Sequence, residues 1–277
     1  MNIAALSRRT GIPPDTLRKW EQRYGVLRPQ RTHGGQRRYT ELDLARVEWL
    51  RERLSEGYRI GDAAALLGDA DVGIGRTPAE LRRGLYEAVR GSDVDAIVAL
   101  LDQTFALVSL EQAITRVVAP VLERVGDGWE SGELSVAQEH LISGAVRARL
   151  DTLLADARGV VRGVAVLACV PRERHELGLL MLGTLLRADG WQVAYLGPHT
   201  PLDDALELVE RLDAGALCLS ATLREHIANL KAVDVPSNVT FLLGGAGVNP
   251  TAARRLRAQY ADANLRRTVR DLRRAAR

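Results

Sequence analysis

The chain has 277 residues, 46% hydrophobic and 26% charged, a length and balance that suit two or three globular domains and exclude a disordered chain. No signal peptide opens it and no apolar run approaches the length of a bilayer span, so the expected compartment is the cytoplasm, with no membrane partner. The net charge of +3 is small but uneven: residues 1–40 carry Arg8, Arg9, Arg18, Lys19, Arg23, Arg28, Arg31, Arg37 and Arg38 against Asp15 and Glu21, and a basic module of this kind points to nucleic acid.

A short helix is expected over residues 3–9, broken at Thr10-Gly11. Pro14 suits the first turn of a second helix over 14–24, which Gly25 can end. Leu17, Trp20 and Tyr24 make its inward stripe, leaving Arg18, Lys19, Gln22 and Arg23 for phosphates and base edges. Between Arg28 and Tyr39 the Gly34-Gly35 pair signals a hairpin flanked by arginines, a basic wing. Two more helices are expected over 43–54 and 60–67. The run T-L-R-K-W-E-Q-R-Y-G-V-L-R-P-Q-R-T-H-G-G-Q-R-R-Y resembles the recognition helix and wing of the MerR family. That resemblance implies a winged helix-turn-helix over 1–67 and operator DNA as partner. Arg18, Lys19, Arg23, Arg31, His33, Arg37 and Arg38 would be its DNA-binding residues. Metal-sensing MerR proteins use cysteines beyond this domain; none is so placed here, so the signal is of another kind.

Residues 68–78 contain three glycines and no periodicity and read as a linker. Four helical stretches follow, 79–90, 93–107, 110–126 and 135–155, and their short connections suit an up-down four-helix bundle over 79–157. Ser92 and Ser109 are the expected N-caps, and Ser135 with Gln138 forms a capping box. Trp129 is placed just past the third helix, and Glu139 and His140 in the first turns of the fourth.

The apolar run Val164 to Val170 stops at Pro171, a charged loop with His175 follows, and a helical pattern covers 176–186. Apolar run, polar loop and helix describe a buried parallel strand entering a βα unit, whose ligands sit at the carboxyl ends of the strands. Further runs at 192–196, 216–220 and 239–243 alternate with helical stretches, so 158–277 reads as a doubly wound, flavodoxin-like α/β domain. Cys169 and Cys218 fall inside the strands and read as small core residues, with neither a zinc pair nor a disulfide framework implied. The basic stretch from Thr251 reads as an amphipathic helix.

E-R-H-E-L-G, from Glu173 to Gly178, resembles the D-x-H-x-x-G motif of cobalamin-binding domains. The resemblance implies His175 as lower ligand to the cobalt of cobalamin, with Glu173 in the aspartate's place orienting its other nitrogen. Ser220 and the Gly244-Gly245 pair would line the slot that takes the cofactor's displaced nucleotide tail. With this motif downstream, Trp129, Glu139 and His140 resemble the helical cap of CarH-type adenosylcobalamin-dependent light-responsive repressors. There the tryptophan covers the upper face of the corrin, and the glutamate and histidine flank the adenosyl group. Light-sensing members often carry a histidine after that tryptophan; Glu130 stands there here, so a two-histidine adduct after light cannot form through this position.

The resemblance thus implies a non-enzymatic regulator that acts as a homo-oligomer, a dimer or tetramer, and represses with adenosylcobalamin bound in the dark. A light-indifferent cobalamin sensor, a corrinoid methyl carrier and a dimerisation module without ligand are the alternatives.

Overall fold

The computed structural model describes residues 1–27, 29–31, 36–55, 58–69, 76–155 and 162–275. They fall into two units, Met1–Leu85 with Ala99–Val117, and Tyr86–Val98 with Val118–Arg277. Among the described residues, no helix is long and apolar enough to cross a membrane.

In the first unit, α1 (Ile3–Thr10) ends at Gly11 and α2 (Pro14–Tyr24) at Gly25, both glycines with positive φ. A left-handed residue at this position closes the last turn, which glycine does without a Cβ penalty. Leu17 and Trp20 are buried and Tyr24 packs beside them, as the helical spacing requires. The wing pairs β1 (Gln30–Arg31) antiparallel with β2 (Arg37–Arg38); the Gly34-Gly35 turn between them lies outside the described residues. Helices α3 (Glu41–Ser55) and α4 (Ile60–Asp69) complete the core around Val47 and Leu50. Helix α4 thus takes the first two residues of the expected linker, and residues 70–75 lie outside the described residues.

The expected bundle helices are α5 (Pro78–Arg90), α6 (Val94–Leu107), α7 (Leu110–Gln112) leading through a π-helical stretch (Ala113–Val118) into α8 (Ala119–Glu130), and α9 (Val136–Ala155). Thr77 and Glu80 start α5 with a capping box: Glu80 N donates to Thr77 Oγ1 at 3.2 Å and Thr77 N donates to the Glu80 carboxylate at 2.7 Å. Three expectations need correction. Ser92 is not the cap of α6; it takes φ 55°, and Asp93 accepts from Ala96 N at 3.0 Å instead. The third stretch is not one regular helix. Pro120 denies a donor to the carbonyl of Arg116, the backbone widens there, and Arg82 donates to that carbonyl at 3.2 Å. Nor does it stop at Gly126: it continues to Glu130, with Trp129 inside it. Gly128 is small because a Cβ there would lie 3.1 Å from Leu134 and 3.4 Å from the Tyr86 hydroxyl.

The rest of the second unit is a five-stranded parallel sheet in the order β4 (Gln192–Gly197), β3 (Val164–Cys169), β5 (Ala216–Ser220), β6 (Thr240–Gly244), β7 (Gln259–Ala261). Strand side chains alternate between faces, and both faces are covered. Ala165, Leu167 and Cys169 pack with α10 (Leu177–Ala188) and α14 (Leu265–Ala275). Val166, Ala168 and Val170 pack with α11 (Leu202–Arg211) and α13 (Pro250–Arg255). A short α12 (Arg224–Ala228) follows β5. The expected single helix from Thr251 is instead α13, β7 and α14; three residues of strand are too few to show a period, and Arg257 at φ 62° turns the chain into them. Both cysteines are free and buried, and burial pushes each thiol up to about 12, as inert core residues.

Candidate functional site

The chain leaves β3 for β4 on one side of the sheet and returns to β5 on the other, so the carboxyl ends of β3 and β5 form the switch point where such folds open a crevice. The loop after β3 is built there by backbone geometry. Arg172 takes φ 73° and His199, in the loop after β4, takes φ 52°. The two loops are joined by Arg172 N donating to His199 Nδ1 at 2.7 Å and His199 N donating to the Glu173 carbonyl at 2.8 Å. Non-glycine residues hold such angles only where their surroundings impose them.

Glu173 is fully buried at the centre of this junction. Its Oε1 accepts from His175 N at 2.8 Å and lies 2.6 Å from His175 Nδ1. Its Oε2 accepts from Thr222 N at 2.7 Å and Leu223 N at 3.0 Å, and lies 3.1 Å from Nδ1 of His226. Burial acts to raise the carboxyl's pKa, but the hydrogen bonds from His175, Leu223 and His226 outweigh it and hold the group at about 2. An ionised carboxylate only accepts, so both imidazoles present an Nδ1–H to it. In its neutral form His175 then carries its unprotonated nitrogen at Nε2, on a ring that is 61% exposed.

Ser220 ends β5 with a buried side chain whose hydroxyl has no hydrogen-bond partner among the described residues. Gly245 has φ 103°, and a Cβ there would sit 2.4 Å from the Ala221 carbonyl oxygen; at Gly244 it would sit 3.0 Å from that of Ala261. The close approach these glycines permit is to the protein's own backbone. Gly178, on the first turn of α10, has nothing within 4 Å of an added Cβ. Gly245→Ala is therefore expected to destabilise this unit by at least about 2 kcal/mol, read as a lower urea midpoint. Gly178→Ala should leave that midpoint unchanged or slightly raised, since alanine is the better helix former.

Trp129 is 48% exposed near the end of α8, and Glu130 beside it is exposed. The capping box holds as expected, Gln138 N donating to Ser135 Oγ at 3.3 Å, and it brings Glu139 and His140 onto the first turn of α9. His140 Nε2 lies 3.5 Å from Glu139, whose other oxygen accepts from Ser143. Among the described residues no hydrogen bond or ion pair links Trp129, Glu139 or His140 to His175. The same helix is tied to the segment after His175 from its middle. Arg147 pairs with the buried Glu176, which also accepts from the Tyr195 hydroxyl at 2.9 Å.

On the basic face, Arg18, Lys19 and Arg23 of α2 are exposed, as are Arg37 and Arg38 of the wing. Arg18 pairs with Asp15 at 2.8 Å. Glu21 joins helix to wing, accepting from Arg37 Nε at 2.8 Å and from the Tyr39 hydroxyl at 2.8 Å. Arg31 lies in β1, and His33 lies outside the described residues.

The sequence reading missed His226, His199 and Arg172. His226 is 53 positions from Glu173 and carries no local motif. The signal that could have found it is its place just beyond the carboxyl end of a strand neighbouring β3.

Residues 1–69 match the MerR HTH family regulatory proteins, and residues 81–154 and 163–275 each match a B12 binding domain family. The HTH-type transcriptional repressor CarH of Myxococcus xanthus is 37% identical over 87% of this chain and 83% of its own. The HTH-type transcriptional repressor CarA of the same organism is 31% identical over 73% of this chain and 69% of its own. Among solved structures, the monomethylamine corrinoid protein of Methanosarcina barkeri superposes with a TM-score of 0.57 at 20% identity. It covers 70% of this chain and 98% of that one, a likeness of fold.

Proposed function

This chain belongs to the family of MerR-type HTH transcriptional repressors with B12-binding domains that includes CarH and CarA, and we propose that it is a light-responsive repressor using adenosylcobalamin. It is a B12-binding regulator of transcription and not an enzyme. In the proposed cycle a cytoplasmic homo-oligomer, dimer or tetramer, holds operator DNA in the dark and releases it on illumination. Each MerR-type module reads one half-site, so two copies are the least that a symmetric operator needs. The change in operator affinity comes from the oligomer's different affinity for the two cofactor states.

The observation that carries this reading is the exposed His175 imidazole, oriented through Nδ1 by a buried carboxylate. That is the arrangement of a metal-bound histidine. In this reading His175 would hold the cobalt, with Glu173 orienting its ring through Nδ1. Gly178 leaves open space at the start of α10, and Ser220, Gly244 and Gly245 would line the crevice for the nucleotide tail, the glycines by letting the backbone segments there pack closely. Trp129 would supply an apolar cover for the cofactor, and Glu139 and His140 polar contacts to its adenosyl group. The cofactor, when bound, supplies a cobalt–carbon bond that light cleaves; the protein supplies orientation and a closed upper face.

The domain limits that accompany this reading are 1–67 for the DNA-binding domain, 79–157 for the cap and 158–277 for the cofactor domain. One observation favours a second reading, a cobalamin sensor indifferent to light: the residue after Trp129 is Glu130, an oxygen donor and a poorer partner for cobalt than imidazole.

Arg18, Lys19, Arg23, Arg31, His33, Arg37 and Arg38 are the proposed DNA contacts. Operator affinity should fall steeply with salt as counterions return to the phosphates. Arg18→Ala should relax sequence preference, whereas Arg37→Ala should weaken all sites alike and reduce the salt slope by about 1. Promoter retardation measured at several salt concentrations checks both. Full-length protein that retards no promoter fragment at low salt, with or without adenosylcobalamin, would refute operator binding.

A further inference from the structure

We propose that the Arg147–Glu176 ion pair is a latch that sets how far helix α9 stands from His175. Through that distance Arg147 acts as a positioning residue: it makes the site favour a cobalamin with a bulky upper ligand over one with a small upper ligand. The inference rests on the proposed roles of His175, Glu139 and His140.

Glu176 directly follows His175 and directly precedes α10, so its place fixes the end of the loop that carries the ring. Its side chain is only 7% exposed, and it accepts from the hydroxyl of Tyr195, in β4, at 2.9 Å. Burial pushes the pKa of the Tyr195 hydroxyl well above its usual range, so the group stays a donor. A carboxylate taken out of water needs a cation as well as a hydrogen bond, and Arg147 of α9 supplies it. Arg147 is itself half-exposed and is steadied by Asp151, one turn further on, at 3.6 Å.

Helical spacing makes this pair a link between the two halves of the site. Glu139, Ser143, Arg147 and Asp151 follow one another at intervals of four and so share one face of α9. The contacts along that face agree: Ser143 donates to Glu139, and Arg147 pairs with Asp151. Two turns of helix, about 11 Å of rise, separate Arg147 from Glu139 and His140. Seating Arg147 on Glu176 therefore fixes where the first turn of α9 stands relative to the His175 loop. The far end of α9 is held by apolar packing instead: Leu154 lies beside Gly183 of α10, where an added Cβ would meet it at 3.7 Å. A ligand with a large group above its metal needs the first turn of α9 at a set height. One with a small group does not.

The test uses the full chain as wild type, as Arg147→Met, and as the double variant Arg147→Met with Glu176→Gln. Arg147→Met keeps the apolar stem but leaves a buried carboxylate without its cation, which destabilises the fold by itself. The double variant removes both charges, and its glutamine oxygen can still accept from Tyr195, so the fold is kept while the latch is gone. Titrated in the dark, the double variant should bind adenosylcobalamin roughly tenfold more weakly than wild type and hydroxocobalamin as tightly as wild type. Arg147→Met should show the same change of preference on a less stable fold. In the apoprotein, amide hydrogen exchange over 137–147 should be faster in the double variant than in wild type, with that over 177–188 unchanged. Equal weakening of both cobalamins in the double variant would mark the pair as a folding contact and overturn the proposal. So would wild-type binding of adenosylcobalamin by the double variant, or unchanged exchange in α9. Each of those results leaves the cobalamin reading standing as long as wild type binds both compounds. Wild type that binds neither would sink that reading, and this proposal with it.

Discussion

His175→Ala is expected to weaken cobalamin binding by at least the roughly 10- to 100-fold typical of losing a group that merely supports a metal ligand, and to cost the apoprotein only about 1 kcal/mol. The two halves of this expectation have different causes. His175 contributes to folding only through the bond its exposed ring makes to Glu173, worth about 1 kcal/mol. Glu173 keeps its bonds from the backbone of residues 175, 222 and 223 and from His226 when the ring is gone. Retention of the cofactor through gel filtration measures the binding, and thermal unfolding without cofactor measures the stability. Equal retention by wild type and variant would remove His175 from the ligand position.

Glu173→Gln should have the largest effect on stability, a loss of about 3 kcal/mol at neutral pH. The size follows from a carboxyl held at about 2 instead of the ordinary 4.5, with each unit worth about 1.4 kcal/mol. The chemistry agrees: glutamine keeps one acceptor oxygen but turns an N–H₂ towards either the His175 donors or those of residues 222, 223 and 226. A carboxyl depressed in the folded state contributes stability that is fully present above its unfolded value and is lost as pH falls through the folded one. The wild-type advantage should therefore be constant above about pH 5 and shrink steadily between pH 4.5 and pH 2. Unfolding free energies of both proteins across that range provide the check; curves that stay parallel would contradict the account.

Features set by neighbours in sequence were the legible ones. Pro14, Gly25 and the spacing of Leu17, Trp20 and Tyr24 set the bounds and the buried face of α2, because capping and helical period act over a few residues. The capping box of Ser135 and Gln138 is local in the same way. The loop after β3 stood out because an apolar strand, a proline and a charged run follow one another directly. What stayed hidden depends on partners distant in sequence. Gly126 and Gly128 look like stop signals until Leu134 and Tyr86 are seen to require a small residue at 128. Asp93 won over Ser92 as a cap because Ser92 had to turn left-handed to leave α5. Gly245 answers to Ala221, and Glu173 to a histidine that only the parallel pairing of β3 with β5 brings near. Trp129, Glu139 and His140 were legible as a pattern, yet their side chains, exposed at 129 and 140 and half-buried at 139, are joined to His175 by no bond among the described residues.

The central claim is that a cobalamin held by His175 controls operator binding. The most direct measurement follows one sample of full-length protein loaded with adenosylcobalamin in the dark, by absorption spectrum and by operator retardation, before and after illumination. The account predicts that the dark sample retards the operator, that light changes the spectrum, and that retardation falls in the same sample. Retardation that is unchanged while the spectrum changes, or that is the same with and without the cofactor, would contradict it.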